Sequence, residues 1–290
     1  MMQRIQSLAL AAIAVLIGGG PAIAATEISL SSSKGKVENY TITDPEGIIK
    51  VVVNYTPIKV GEAAELQEKN LTYDIFYTGD RKVSEEVTTY YTGNVAIKDI
   101  DQNGTPEVIV STFSGGAHCC TSTVIHQWRN NQFQTINTGF LDGRGGDFTD
   151  LDGDGTLEFT SYDQSFLYRF SSYAGSFAPS KIFSLIDGQF LDTTPKYRKT
   201  LRSTAWKMYQ TIVERQRDSD GEINGVLAGY VAQKALLGEF EEGWNFMLSR
   251  YDRQSNWGLD KYDGKGNTVG QYSDFPTALR AHLQRMGYIK

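Results

Sequence analysis

Up to Pro195 the chain is built of short runs rich in β-branched and aromatic residues, separated by Gly, Asp, Asn and Pro, the pattern of strands joined by turns. Strands are predicted at 36–43 and 48–55 about the turn Asp44-Pro-Glu-Gly47, and a hairpin at 71–78 and 82–92 about Gly79-Asp80. Further strands are predicted at 107–114, 121–128 and 133–140, the last two joined by Arg129-Asn-Asn-Gln132, and then at 158–166, 167–172 and 181–190. Segment 63–70 reads as one helical turn or a loop. After Pro195 the period changes to that of a helix. Residues 197–217 are rich in helix formers, Ile223, Val226, Leu227, Tyr230, Val231 and Leu237 recur at helical spacing, and 240–251 continues the pattern after Gly238. Segment 254–271 reads as a long loop. Asp274 then caps a last helix with Pro276 in its first turn, Leu279, Leu283 and Met286 on its inner face, and Gly287 at its end. The expected fold class is α+β and mainly β: an antiparallel, propeller-like repeat domain over 26–195, followed by a small helical subdomain over 196–290.

The first 25 residues carry a different pattern. Arg4, an apolar run from Leu8 to Ile17 and the small-residue end Ala22-Ile-Ala24-Ala25 read as a secretory signal, too short to span a bilayer. No Cys stands at the cleavage point, which argues against a lipoprotein. The expected location is secreted or periplasmic, with no membrane span afterwards, and the remaining length suffices for one large or two ordinary domains. The formal net charge is −6, and losing Arg4 makes it more acidic. That balance argues against nucleic acid as a partner.

Between the strands one short pattern occurs twice. Asp99-Ile-Asp101-Gln-Asn103-Gly104-Thr105-Pro-Glu107 and Asp150-Leu-Asp152-Gly-Asp154-Gly155-Thr156-Leu-Glu158 place oxygen side chains at positions 1, 3, 5 and 9 and Gly at 6. Calcium takes about six to eight oxygens, and a tight loop that aims alternate side chains inward, with Gly at the sharp turn, can supply them. Thr105 and Thr156, at position 7, would give backbone carbonyls. These are not EF-hands, because Val110 and Ser161 stand where a bidentate Glu would close the shell. Plain Asp-Gly turns would also explain one such loop. Two copies, each entering a strand, favour two calcium sites. The second, with four carboxylates against three, is expected to bind more tightly.

Over about 95–192 this pattern resembles the calcium loops of FG-GAP or VCBS repeats, the blades of integrin-type β-propellers. The resemblance implies structural calcium in each blade, held at Asp99, Asp101, Asn103, Thr105 and Glu107 and at Asp150, Asp152, Asp154, Thr156 and Glu158. It further implies surfaces used for adhesion or recognition. The chain is too short for a closed seven-bladed propeller, and no Phe-Gly…Gly-Ala-Pro signature is present in full.

The remaining chemistry is sparse. Cys119 and Cys120 are adjacent. A vicinal disulfide, two reduced thiols, and a metal or redox site with His118 all remain open for them, since neighbouring Cα atoms sit closer than an ordinary disulfide prefers. Gly115 and Gly116 before His118 suggest a close turn. Arg144-Gly-Gly-Asp147 lacks the adhesive spacing and reads as a turn, as do Asp218-Ser-Asp220-Gly221 and Asp260-Lys-Tyr-Asp263-Gly264. Glu239, Glu241 and Glu242 form a charge run suited to a solvated face. Trp206, Trp244 and Trp257 could stack on sugar rings but at helical positions suit a core. His282 has no evident partner in the sequence. No Gly-x-Ser-x-Gly, His-Glu-x-x-His or phosphate loop occurs. The function expected is an exported calcium-stabilised binding module without catalysis, with a protein or carbohydrate partner. The alternatives are a hydrolase of cell-wall polymer or polysaccharide, which would set Glu239 or Glu242 opposite Asp260 or Asp263, and a thiol or metal handler using the His-Cys-Cys loop.

Overall fold

The computed structural model describes residues 26–58, 69–143, 145–218 and 222–290. The expected leader, Arg144, most of the 63–70 segment and most of the 218–221 turn lie outside them.

The β part consists of three antiparallel meanders of four strands each. The chain enters through β1 (Glu27–Ser31) and then builds the first meander from β2 (Val37–Thr43), β3 (Ile49–Tyr55), β4 (Leu71–Tyr77) and β5 (Asp80–Val87). The second follows as β6 (Thr92–Lys98), β7 (Glu107–Phe113), β8 (Thr121–Arg129) and β9 (Gln132–Leu141), with β1 paired to β6 at its edge. The third is β10 (Asp147–Thr149), β11 (Glu158–Tyr162), β12 (Ser180–Ile186) and β13 (Gln189–Asp192).

Alternation along the middle meander explains the stacking, because successive strand residues face opposite ways. Val95, Ile97, Val108 and Val110 pack with Ile42, Ile49, Val51, Val53, Leu71 and Ile75 of the first meander. Ile109 and Ile125 point to the other face and pack with Leu185, Phe148 and Phe190 of the third. Each side chain of this size stabilises by about 1.5–3 kcal/mol when fully buried. A polar pin crosses the first of these layers: His126 Nε2 lies 3.0 Å from Tyr73 Oη, and burial lowers the imidazole pKa to about 4.

The helices, α1 (Arg198–Asp218), α2 (Asn224–Leu236), α3 (Phe240–Leu248) and α4 (Phe275–Arg285), share a separate core with Phe166 and Phe170. Gln233, fully buried, joins this layer to the third meander by accepting from Ser180 N and donating to Leu201 O. The molecule is thus mainly β, with antiparallel sheets and its helices toward the C-terminus.

Four local expectations need correction. Segment 167–172 is not a strand: Asp163 accepts from Ser165 N at 3.0 Å and starts a 3-10 turn, which takes Phe166 and Phe170 out of the sheet and into the helical core. Segment 254–271 is not all loop, because Asp263 Oδ1 accepts from Lys265 N and Asn267 N and reverses the chain into the hairpin β14 (Asp260–Tyr262) and β15 (Thr268–Gln271). Met286 follows the last turn of α4 and is exposed, leaving Leu279 and Leu283 as the inner face. Trp206 is 58% exposed and stacks on Tyr209, whereas Trp244 is core.

Candidate metal centre

Both Asp-rich loops join the first strand of a meander to the second: loop one lies between β6 and β7, loop two between β10 and β11. Three of their internal hydrogen bonds match position by position. The position-6 N–H donates to the position-1 carboxylate at 3.0 Å, Gly104 to Asp99 and Gly155 to Asp150. The position-7 N–H donates to the position-5 side chain at 2.8 Å, Thr105 to Asn103 and Thr156 to Asp154. The position-2 N–H donates to the position-9 Glu at 3.0 Å, Ile100 to Glu107 and Leu151 to Glu158. Gly104 and Gly155 sit at φ +85° and +91°, where a side chain would be strained, which accounts for Gly at position 6.

This scaffold gathers three carboxylates in each loop. One oxygen from each of Asp99, Asp101 and Glu107, and one from each of Asp150, Asp152 and Glu158, lie within 4.8 Å of one another. Glu107 and Glu158 are each 1% exposed. Burial pushes the Glu107 carboxyl up to about 8, reinforced by the charges of Asp101 and Asp99. Asp99 Oδ1 is buried and has no hydrogen-bond partner. Position 5 stands apart: Asn103 turns its amide N–H toward Asp101, and Asp154 accepts from both Thr156 N and Thr156 Oγ1, which lowers its pKa. Thr156 Oγ1 also donates to Glu158 at 3.2 Å.

The two loops touch. Leu157 N donates to Ile100 O at 2.8 Å, Gln102 lies across Gly155, and Ile100 is buried in the layer between the meanders with Leu157 packed against it. Sequence spacing did not expose this adjacency, because it depends on how the meanders stack.

The other candidates are dispersed. Cys119 and Cys120 are joined by a disulfide, and His118 stacks on Tyr173 with centroids 4.2 Å apart. Gly116 is required there, because a Cβ would fall 2.4 Å from Cys119 O. Among the described residues no metal-ligating cluster includes His118. Glu239 and Glu242 both pair with Lys234 and line a cavity with Trp206, while Asp260 lines a different one, so they do not face one another. His282 does have neighbours: Ser165 Oγ at 3.4 Å and Arg285 Nη2 at 3.1 Å. Burial, with Arg285 and Arg169, lowers its pKa to about 4.

Stacked four-strand meanders carrying paired acidic loops, with a helical layer beside them, define a repeat β-sheet protein with a candidate double cation site. Residues 201–287, within the helical part, match the family model of the sll0997 C-terminal domain. The chain is 41% identical over 204 residues to the probable thylakoid lumen protein sll0997 of Synechocystis sp., covering 67% of this chain and 60% of that protein. It is 35% identical over 195 residues to the uncharacterized protein y4bJ of Sinorhizobium fredii, covering 63% of this chain and 30% of that protein. The chain therefore spans less than two thirds of the length of either relative. No solved structure matches it. These findings overturn the resemblance to FG-GAP and VCBS repeats, neither of which is found. A nine-residue acidic turn is set by strand-to-strand geometry and can occur on unrelated sheets, so it does not carry family identity. Among the described residues, no helix is long and apolar enough to cross a membrane.

Proposed function

We propose that this is an extracytoplasmic binding protein whose meanders are fixed by two calcium ions, one in each acidic loop, and that it performs no catalysis. The observation that carries the reading is the convergence of three carboxylates in each loop, with the buried Asp99 Oδ1 left without a partner. Three carboxyl groups at such range cannot all ionise cheaply without a cation, and an all-oxygen donor set suits a hard one. Asp99, Asp101 and Glu107, and Asp150, Asp152 and Glu158, would hold the ions; the carbonyls of Thr105 and Thr156, with water, would complete the shells. The metal's chemistry is structural: it neutralises the loops and locks each strand-to-strand turn. The apolar leader and the thylakoid-lumen name of one relative support the location. The partner is a protein or carbohydrate.

Thermal unfolding of the purified protein in calcium, magnesium and chelator tests this. Calcium at about a hundred times its dissociation constant is expected to stabilise each loop by about 2.7 kcal/mol. Magnesium, which prefers a smaller and stricter octahedron, is expected to do less. No calcium response would reduce both loops to hydrogen-bonded turns.

A further inference from the structure

We infer that the cleft between Arg169 and the segment carrying Trp257 binds a carboxylate-bearing saccharide, the guanidinium taking the acid group and the exposed aromatic rings taking the faces of the sugar. This names a partner class left open above and does not depend on calcium, since the cleft lies among the 3-10 turn after β11, the segment after α3 and the hairpin β14–β15.

Its volume is about 550 Å³, within the range of small-ligand sites. At its wall Arg169 Nε is buried with no hydrogen-bond partner. Buried donors are ordinarily satisfied, so the unpaired Nε–H is an open position for an acceptor, and a carboxylate is the group that suits a guanidinium, here one that also lies 5.0 Å over the Phe170 ring. Burial, followed by the positive charge of Arg285, lowers the Arg169 pKa, and Tyr272, Tyr262 and Asp260 offset this only in part, so a further anion would relieve it. Asp260 lines the same cleft but makes no ion pair with Arg169 among the described residues; it accepts from Gln271 Nε2 at 2.9 Å.

Tyr168, Trp257 and Tyr262 line the cleft while remaining 44–52% exposed. Trp257 is held in place, its Nε1 donating to Tyr168 O at 2.9 Å. Gly258, at φ +77°, lets this segment approach, because a Cβ there would fall 2.1 Å from Arg169 O. The cleft is therefore built rather than incidental. Flat rings suit the C–H faces of pyranoses, and Asp260 and Gln271 offer acceptors to hydroxyls. One guanidinium at the cleft wall, in a protein of net charge −6, suits one carboxylate per unit and not a polyphosphate.

Titration calorimetry of the purified protein at low salt, with trimers of galacturonic acid and of mannuronic acid beside the corresponding neutral trimers, provides the test. At least one acidic trimer is expected to bind about ten-fold or more tightly than its neutral counterpart, as a charge-assisted pair allows. Arg169→Gln is expected to remove that preference, Arg169→Lys to restore it in part, and Trp257→Ala to weaken binding by about ten-fold. Trp206→Ala, at an exposed indole outside the cleft, is expected to bind like the parent. Failure of both acidic trimers, equal binding of acidic and neutral trimers, or parent-like binding by Trp257→Ala overturns the proposal. Calorimetry of the parent and of Trp257→Ala decides the matter even if Arg169→Gln fails to fold. A calcium response without sugar binding would leave the metal reading standing, and the converse would leave this one.

Discussion

Loop one and loop two share every backbone-directed hydrogen bond described above and differ in how they are set into the protein. Loop two carries more charge, but its extra carboxylate, Asp154, is turned onto Thr156 and stands outside the cluster. Loop one carries less charge, yet it holds a carboxyl raised to about 8 at Glu107 and an orphaned oxygen at Asp99. Charge count alone favours loop two. The geometry instead gives both loops the same three-carboxylate set with an equally buried Glu, so their difference lies in what satisfies the oxygens: Glu158 accepts from Thr156 Oγ1, whereas Asp99 Oδ1 has no partner.

The largest expected effect breaks the packing beneath loop one. Ile100 is 1% exposed and sits between the second and third meanders. Ile100→Ala is expected to destabilise the protein by about 3 kcal/mol, the middle of the range for such truncations. Read by thermal unfolding, that is a loss of roughly 6–12 °C at this size. A loss that persists in chelator would assign the loop's position to packing; a loss seen only with calcium would assign it to the metal.

Next in size is a test of the ligand set itself. Asp152→Asn is expected to weaken calcium binding at loop two by about 10- to 100-fold, the loss of one direct charged ligand, whereas Asp154→Asn changes it by about three-fold or less. Calcium titration by calorimetry measures both. Equal losses would show that Asp154 rotates into the shell when the ion arrives, and would restore charge count as the measure of affinity.

This contrast also shows what the sequence could carry. Most of the strands, the helices and the twin loops were legible because they are local: periodicity, turn residues and a Gly at the position of positive φ; β6 and β10 were not assigned, and 181–190 was read through the turn that separates β12 from β13. The segment 167–172 misled because aromatic residues suit a strand and a core equally, and only the helical layer decides that Phe166 and Phe170 leave the sheet. The hairpin after α3 was hidden because its strands are three and four residues long. Trp206 and Trp257 show the same limit in reverse, since exposure depends on what the rest of the chain covers. The side-by-side placement of the loops, and the unpaired Nε of Arg169, are tertiary facts with no sequence signal.

The pH dependence of loop one is expected to be a smaller effect per pH unit near neutrality, at most about 1.4 kcal/mol. Glu107 has a folded pKa near 8 against an ordinary 4.5. Between those values the metal-free folded protein holds a proton that the unfolded chain releases, so stability falls as pH rises through that window and levels off above it. Below pH 4.5 both states are protonated and the contribution vanishes. Glu107→Gln is expected to flatten this slope in chelator. Calcium must displace the same proton, so binding at pH 6.5 should release about one proton, measured by calorimetry in buffers of different ionisation enthalpy and absent in Glu107→Gln.

The smallest expected effect concerns the contact between the loops. Gln102 belongs to loop one yet lies across Gly155 of loop two, while the Leu157-to-Ile100 backbone bond ties the two turns directly. An ion that stiffens one loop therefore acts on a neighbour already fixed by backbone, and the side chain adds only its own contacts. Gln102 sits at φ +54°, a strain that Ala shares because it too carries a Cβ, so Gln102→Ala is expected to change stability by less than about 0.5 kcal/mol. Any coupling between the two sites should survive it, visible as the same ratio of stepwise calcium constants in parent and variant. A ratio that collapses to the statistical value in Gln102→Ala would move the coupling from the backbone bond to this one side chain, and the loops would then be two independent turns joined by a single removable contact.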